Sequence, residues 1–459
     1  MRAFDPRKGL DTYRRLRRGG SLAASPPTLL AAGFLALIAV GTLLLSLPFA
    51  GASQSLTFFQ ALFTATAAVT VTGLAIVELH DLSLYGQWVV LILIQTGGLG
   101  FVTFAVLSAI KLGHRMSLRQ QTLALEAFNQ TSTARLRNTA MSVLRITVAI
   151  EATAIVLLFL WWWGSQRMPA ATALYHAVFH AVAAFNNSGY ALFEGSLGGF
   201  VSDTPTIAVL SAVVILGGIG FPIIVEVMQK QRWHTLQPYV RLMIVSALVL
   251  NLAGFAGFWL LEAHNPKTLG GLGWADQARA AWMQSVSMRT AGFAAFDLSA
   301  IDDSTALMAA VLMFIGGGSM STAGGIKLGT FVVIMAAVFA YVAQRKEIVL
   351  MHRTLAPEMV QKSLAVVVVT VLTAVLGLML LTIFEDITFI SLLLEVIAAL
   401  STTGISQALT PQLSTPSHCV LLVLMFMGRI GPLTLVYSLA IRNRSHSRVR
   451  HPEMEFQVG

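Results

Sequence analysis

The chain has 459 residues, 56% of them hydrophobic and only 11% charged, where an average soluble domain carries about 25% charged residues. That composition excludes a water-soluble fold and implies a multi-span membrane protein. The formal charge is +9 with 30 Lys and Arg, yet the basic residues stand where apolar runs end, which is the signature of membrane topology and not of a nucleic-acid partner. A single cysteine, Cys419, excludes a disulfide framework and a multi-cysteine metal centre.

Residues 1–27 hold seven Arg and Lys, including Arg14, Arg15, Arg17 and Arg18, and read as a cytosolic basic tail. The apolar run 28–49 exceeds the ~7–15 residues of a signal-peptide core, although Ala50-Gly51-Ala52 resembles a cleavage site. At ~1.5 Å per residue it covers about 33 Å, so a retained first span is expected. Residues 56–69 then form an apolar stretch too short to cross a bilayer, and 85–112 read as a second span. The same order recurs. Spans start near 140 and 206 around a short helix at 171–185. Next come a span at 240–261, a short helix at 276–288 and a segment from 305. The last set is 362–384, 389–400 and 418–441.

Each short helix runs into a glycine preceded by small or hydrogen-bonding residues: Thr70-Val71-Thr72-Gly73, Asn186-Asn187-Ser188-Gly189, Arg289-Thr290-Ala291-Gly292 and Ser401-Thr402-Thr403-Gly404. The glycines lie 116, 103 and 112 residues apart. Ten residues before each stands Phe63, Phe179, Trp282 or Leu394, and directly after each comes Leu74, Tyr190, Phe293 or Ile405. Near-constant spacing marks a duplicated unit. Irregular backbone at membrane depth is tolerated only where protein encloses it or it lines a water-filled path, and glycine permits the angles that turn carbonyls toward an axis. Four such segments can replace the hydration shell of a monovalent cation. Close helix packing explains one such glycine equally well; it does not explain four in one context. If each short helix enters from outside, its partially negative C-terminal end faces the path and favours a cation.

The expected fold is therefore an all-α integral membrane protein. Four pseudo-symmetric span–pore-helix–span repeats in one chain place about eight transmembrane helices around a central pore. The expected divisions are a cytosolic tail 1–27, repeat 1 at 28–112, a cytosolic loop 113–139 and repeat 2 at 140–230. Repeat 3 at 239–343, a cytosolic loop 344–361, repeat 4 at 362–441 and a cytosolic tail 442–459 follow. Segments 1–27, 111–145, 229–241, 344–362 and 442–459 carry 24 of the 30 Lys and Arg, which puts both termini in the cytosol of a multi-pass cell inner membrane protein.

The segment 305–342 is too long for one span. Its middle, Gly316-Gly317-Gly318-Ser319-Met320-Ser321-Thr322-Ala323-Gly324-Gly325-Ile326-Lys327, holds a helix poorly and reads as an intramembrane loop below the filter. Glycine clusters after the other filters (Gly97-Gly98-Leu99-Gly100, Gly217-Gly218-Ile219-Gly220 and Gly428-Arg429-Ile430-Gly431) read as close packing or bends.

These stretches, with the glycine-rich interruption and the run Gly428-Arg429-Ile430-Gly431-Pro432-Leu433-Thr434-Leu435, resemble the Trk/Ktr/HKT superfamily of potassium transporters over essentially the whole chain. The first span begins near residue 28, which is more like the KtrB branch. The resemblance implies a homodimer in the lipid bilayer, a separate cytosolic nucleotide-binding ring (KtrA-like), and K+ as the transported ion with no organic cofactor. By match, K+ is expected at the carbonyls of Thr72, Gly73, Ser188, Gly189, Ala291, Gly292, Thr403 and Gly404. The third-repeat loop and Arg429 are expected to gate the pore, with loop carbonyls and the hydroxyls of Ser319, Ser321 and Thr322 supplying the arginine's partners. Met320 and Ala323 depart from the small residues usual in that loop.

Three other features carry chemistry. Glu151 lies mid-span, where a carboxylate marks a functional site or a tie between helices. His176 and His180 stand at a ligand spacing, but without a third ligand in sequence a zinc site is not expected. Asn186-Asn187-Ser188 matches a glycosylation sequon where the repeat demands burial. A coupled secondary transporter (Na+ or H+ symport) is the alternative, since it too uses broken helices. No HExxH, GxSxG or paired carboxylates argue for an enzyme.

Overall fold

The computed structural model describes residues 26–100, 133–345 and 347–431. The basic tails, most of the 113–139 loop and the distal ends of the spans read over 85–112 and 418–441 lie outside the described residues. Within them the chain forms fourteen α-helices. In order these are α1 (Pro26–Leu45), α2 (Phe58–Val69), α3 (Leu84–Gly98), α4 (Thr133–Gly164) and α5 (Ala170–Asn186). Next come α6 (Thr204–Ile219), α7 (Phe221–Lys230), α8 (Pro238–Glu262), α9 (Trp274–Met288) and α10 (Asp303–Phe314). The last four are α11 (Leu328–Val342), α12 (Pro357–Phe384), α13 (Phe389–Leu400) and α14 (Thr415–Ile430). A two-residue antiparallel hairpin, Val349–Leu350 with Arg353–Thr354, joins α11 to α12.

Local chemistry sets the helix ends. Thr57 and Gln60 close a capping box over α2, satisfying two donors at its start. Ser83 Oγ accepts from Gly86 N–H at the start of α3. Prolines occupy the first turns of α8, α12 and α14, where a missing N–H costs nothing. The chain bends by 102° between α6 and α7. The break falls at Gly220-Phe221-Pro222, where Gly220 takes φ +107 and Pro222 withholds a donor.

Among the described residues, three helices are long and apolar enough to cross a membrane: residues 140–164 of α4, α8 and α12. They show apolar side chains outward, for example Leu160, Leu248 and Leu372, each about half exposed or more, as a lipid-facing surface does. The short helices are the core. Phe63 of α2, Phe179 of α5 and Leu394 of α13 are all but fully buried, and Trp282 of α9 packs partly buried against the same cluster.

The packing closes on itself. Each short helix lies against the helix before it and the one after it: α2 between α1 and α3, α5 between α4 and α6, α9 between α8 and α10, and α13 between α12 and α14. Each following helix also packs on the next short helix: α3 on α5, α6 on α9, α10 on α13 and α14 back on α2. The C-terminal ends of four short helices are thereby brought to one place.

Candidate functional site

A helix end leaves carbonyls without partners, and three of the four short helices resolve this identically. After α2, Thr72 N–H donates to Ala67 O (2.8 Å) and Val71 N–H to Ala68 O (3.1 Å). Ser188 and Asn187 do the same after α5, and Thr403 and Thr402 after α13. This is the Schellman closure, which requires a left-handed residue just past the helix. Val71, Asn187 and Thr402 take φ of +57, +57 and +50. After α9, Thr290 also takes φ +69, but Ala291 and Gly292 both donate to Ser287 O, at 2.8 and 3.2 Å. Val71, Thr290 and Thr402 are β-branched, for which this conformation is a true outlier. Strain of this kind persists only where the surroundings enforce it.

Past the left-handed residue, the four glycines form a closed ring. A Cβ placed on Gly73 would overlap the Ser188 carbonyl oxygen; one on Gly189 would lie 2.8 Å from Gly292 Cα. One on Gly292 would overlap Thr403 O, and one on Gly404 would overlap Thr72 O. Each obstacle is main chain of the next stretch, so no side chain can move aside. All four glycines also have φ between +72 and +87, which any larger residue resists. The flanking polar residues Thr70, Thr72, Asn186, Asn187, Ser188, Thr290, Ser401, Thr402 and Thr403 are buried.

On one side of the ring opens a cavity of about 580 Å³ lined by Gly73, Gly189, Gly292 and Gly404. Glu78, Glu194 and Asp297 line it too. Each lies five residues after its glycine; the fourth equivalent is the apolar Leu409. Carboxylates at a concave mouth concentrate cations. This regular offset was readable in the sequence and was missed there.

The segment between α10 and α11 packs against the ends of α5 and α13. It pairs with itself through Gly316 N–H to Ile326 O (3.0 Å), Ser321 Oγ to Gly318 O (2.7 Å) and Lys327 Nζ to Ala323 O (2.6 Å). Gly318 N–H reaches Gly218 O (2.8 Å), and Met320 O accepts from Phe221 N–H (3.2 Å), so the α6–α7 bend holds the loop. Met320 itself sits at φ +56. Thr322 Oγ1 donates to Phe185 O (3.0 Å) at the end of α5. A Cβ on Gly324 would overlap Ser401 O. Gly317 and Ala323 are in close contact.

Arg429 near the end of α14 donates to Thr322 O (2.6 Å) and to Gly97 O and Gly98 O (2.6 and 3.1 Å). The guanidinium thus bridges the loop and the end of α3 through carbonyls alone. The hydroxyls of Ser321 and Thr322, expected as its partners, are committed to Gly318 O and Phe185 O. Arg289 does not point into the ring; it donates to Ala247 O, Asn251 Oδ1 and Gly316 O at 3.1–3.2 Å.

Glu151 of α4 is a tie between helices. Its Oε2 accepts from Gln95 Nε2 (3.2 Å), and Gln95 Oε1 accepts from Asn186 Nδ2 (2.5 Å). His180 donates Nδ1–H to His176 O (2.8 Å) while its Nε2 accepts from Leu192 N–H (3.3 Å), an arrangement only the neutral ring provides. Among the described residues no three ligating side chains gather around a metal position. Asn186, Asn187 and Ser188 are almost fully buried, which rules them out as a sugar acceptor.

A helical membrane protein whose short helices converge on a strained ring, open to a carboxylate-lined mouth, belongs with proteins that pass cations. The chain belongs to the TrkH family of cation transport proteins, whose profile matches residues 23–241 and 231–450. Within that family it is KtrB-like. It is 38% identical over 441 residues to the Ktr system potassium uptake protein B of Bacillus subtilis (strain 168), covering 95% of this chain and 97% of that protein. The protein of the same name from Vibrio alginolyticus is 39% identical over 448 residues, covering 96% of each. The crystal structure of the potassium transporter TrkH from Vibrio parahaemolyticus shares the fold, with a TM-score of 0.68 at 20% identity over 89% of this chain and 85% of that one.

Proposed function

We propose that this chain carries K+ into the cell along the axis of the glycine ring, as the membrane subunit of a Ktr-type uptake system. The observation that carries this reading is the ring itself: four backbone segments, each blocked by the next, at the ends of four buried helices. The carbonyls of Thr72, Gly73, Ser188, Gly189, Ala291, Gly292, Thr403 and Gly404 replace the ion's hydration shell. The C-terminal ends of α2, α5, α9 and α13 add partial negative charge behind them. Each short helix, with the span before it and the span after it, forms one of four repeats, giving eight spans with both termini cytosolic.

In this reading the loop 316–327 is the gate and Arg429 its latch. The loop narrows the path, and the guanidinium repels the ion there until the loop withdraws. Control comes from another chain. Each inter-span segment holds at most about 30 residues, too few for a nucleotide-binding domain of roughly 100. A soluble KtrA-like ring docks on the basic segments of a homodimer and pulls the gate. Relatives named for a Ktr system support that assignment.

The test is K+ uptake in a cell lacking its own uptake systems, with and without a co-expressed regulatory ring, together with flux through the purified protein in liposomes. Uptake that follows the K+ gradient without coupled proton movement supports the pore. Flux of the pure protein that responds directly to nucleotide contradicts control by a partner.

A further inference from the structure

Arg289 is the charged residue of the four stretches, and its surroundings are unusual. It is about nine-tenths buried, and among the described residues no carboxylate pairs with it. A buried charge held by neutral acceptors alone is costly to keep, and at membrane depth such a residue is a functional hypothesis by default. Its three acceptors divide into two groups. Ala247 O and Asn251 Oδ1 belong to α8, whereas Gly316 is the first residue of the 316–327 loop. In sequence Arg289 directly precedes Thr290-Ala291-Gly292.

The guanidinium therefore spans from the third stretch of the ring to the root of the loop. Beside it lies a cavity of about 20 Å³ lined by Asn187, Asn251, Arg289, Gly317 and Gly318, room for roughly one water molecule. That slack allows the fork to shift when the loop root shifts. The third stretch is also the one whose helix end departs from the closure used by the other three, with Ala291 and Gly292 N–H both on Ser287 O and Ser287 Oγ on Phe293 O; the fork of Arg289 adds a side-chain tie from this stretch to the loop root.

We propose that Arg289 is a positioning residue that couples the gate to the filter: while the loop is in place, the bond to Gly316 O holds the third stretch in its selective geometry, and withdrawal of the loop relaxes it. This rests on the reading of loop 316–327 as a gate. Ion selectivity is then lower with the loop withdrawn than with it closed, and the change enters through one quarter of the ring.

The test measures K+ flux and the K+/Na+ permeability ratio of the purified dimer in liposomes. The proteins are the wild type, Arg289→Met, Arg289→Lys, deletion of residues 319–323, and Arg289→Met combined with that deletion. Expected are a ratio lowered about fivefold by Arg289→Met, the scale set by the typical net contribution of one hydrogen bond, and a similar fall on deleting the loop. The combined variant should fall no further than either alone, as coupled sites do. Arg289→Lys keeps the charge but loses the fork, and its ratio should stay low. A wild-type ratio in Arg289→Met, full rescue by lysine, or independent effects in the combined variant would each overturn the coupling. If Arg289→Met does not insert, Asn251→Leu carries the test: its ratio should fall and become insensitive to the deletion, and an unchanged ratio refutes the proposal. Flux reports separately on the gate; if the deletion does not raise it, the gate reading fails and the coupling fails with it.

Discussion

The first and fourth stretches of the ring are chemical twins, and the third is not. In the first, the Thr70 and Thr72 hydroxyls meet at 2.8 Å; in the fourth, Ser401 and Thr403 meet at 2.7 Å. Thr70 and Ser401 also donate back to their helices, to Thr66 O and Ile397 O. These stretches are stapled to themselves. The third has Arg289 and Ala291 at the corresponding places, so no such staple exists, and its anchor reaches outward to α8 and Gly316. A ring that shares one backbone shape in four places thus has two quarters stapled by their own hydroxyls and one quarter whose side chain reaches α8 and the 316–327 loop. Symmetry of backbone does not require symmetry of mechanics.

The largest effects fall where the stretches are alike. Serine at Gly73, Gly189, Gly292 or Gly404 meets main chain of the next stretch and an unfavourable φ costing about 1–2 kcal/mol. K+/Na+ discrimination should drop on the order of tenfold, the change that about 1.4 kcal/mol produces. Permeability ratios of the four variants decide it. Unchanged ratios in four inserted proteins remove the filter assignment and the comparison with it.

Next in size is the latch. Arg429→Ala frees Thr322 O and the Gly97 and Gly98 carbonyls, and flux should rise several-fold while control by the regulatory ring weakens. Loss of two or three charge-assisted bonds of about 1.5–3 kcal/mol each leaves the loop held by Thr322 Oγ1 and the α6–α7 bend. Liposome flux of the purified variant checks this. Lower flux in folded dimers makes Arg429 a structural tie instead.

The staples give a smaller effect. Thr70→Ala and Ser401→Ala each lose one or two neutral hydrogen bonds of about 1 kcal/mol. The permeability ratio should fall about twofold to fivefold, with gating intact. If these variants also alter the response to the regulatory ring, the division into stapled and tied quarters is wrong.

Helix ranges were largely legible in the sequence. The apolar pattern puts a short helix at 389–400, and α13 is Phe389–Leu400, because Thr388 and Ser401 punctuate a continuous apolar run. The interruption read in 305–342 falls between Phe314 and Leu328, where five glycines leave too little helix propensity. Gly97, Gly217 and Gly428 each press against a carbonyl at the end of a short helix, those of Val69, Phe185 and Leu400, which is the close approach such glycines suggested. Other features were not legible. A bend was among the readings of the cluster ending in Gly220, but its angle of 102° and its hydrogen bonds to the loop were not. The acceptors of Arg429 are main-chain carbonyls, and every residue carries one, so composition could not point to them. Gln95 and Asn251 stand out only when Asn186 and Arg289 are seen reaching them.

The mouth sharpens the comparison from the opposite side of the ring. Glu78, Glu194 and Asp297 line the mouth beside the first, second and third stretches, while the residue at the same offset in the fourth, Leu409, is apolar and buried. Here the third stretch behaves like the first, because these carboxylates act through the shared field and not through the stapled backbone. They are exposed, so each should raise the local cation concentration modestly and in a salt-dependent way. Glu78→Gln, Glu194→Gln and Asp297→Asn should each lower K+ flux by about a third to a half at ~10 mM ionic strength, where the screening length is about 30 Å. The effect should fade at ~150 mM, where that length is about 8 Å, and permeability ratios should stay at their wild-type values throughout. Ala408→Glu, at the exposed lining position beside the buried Leu409, should raise low-salt flux by a similar margin, since it adds a charge near the fourth stretch. A changed permeability ratio in any of the four would mean that the mouth also shapes the filter, and the separation between a field acting on rate and a backbone acting on selectivity would not hold.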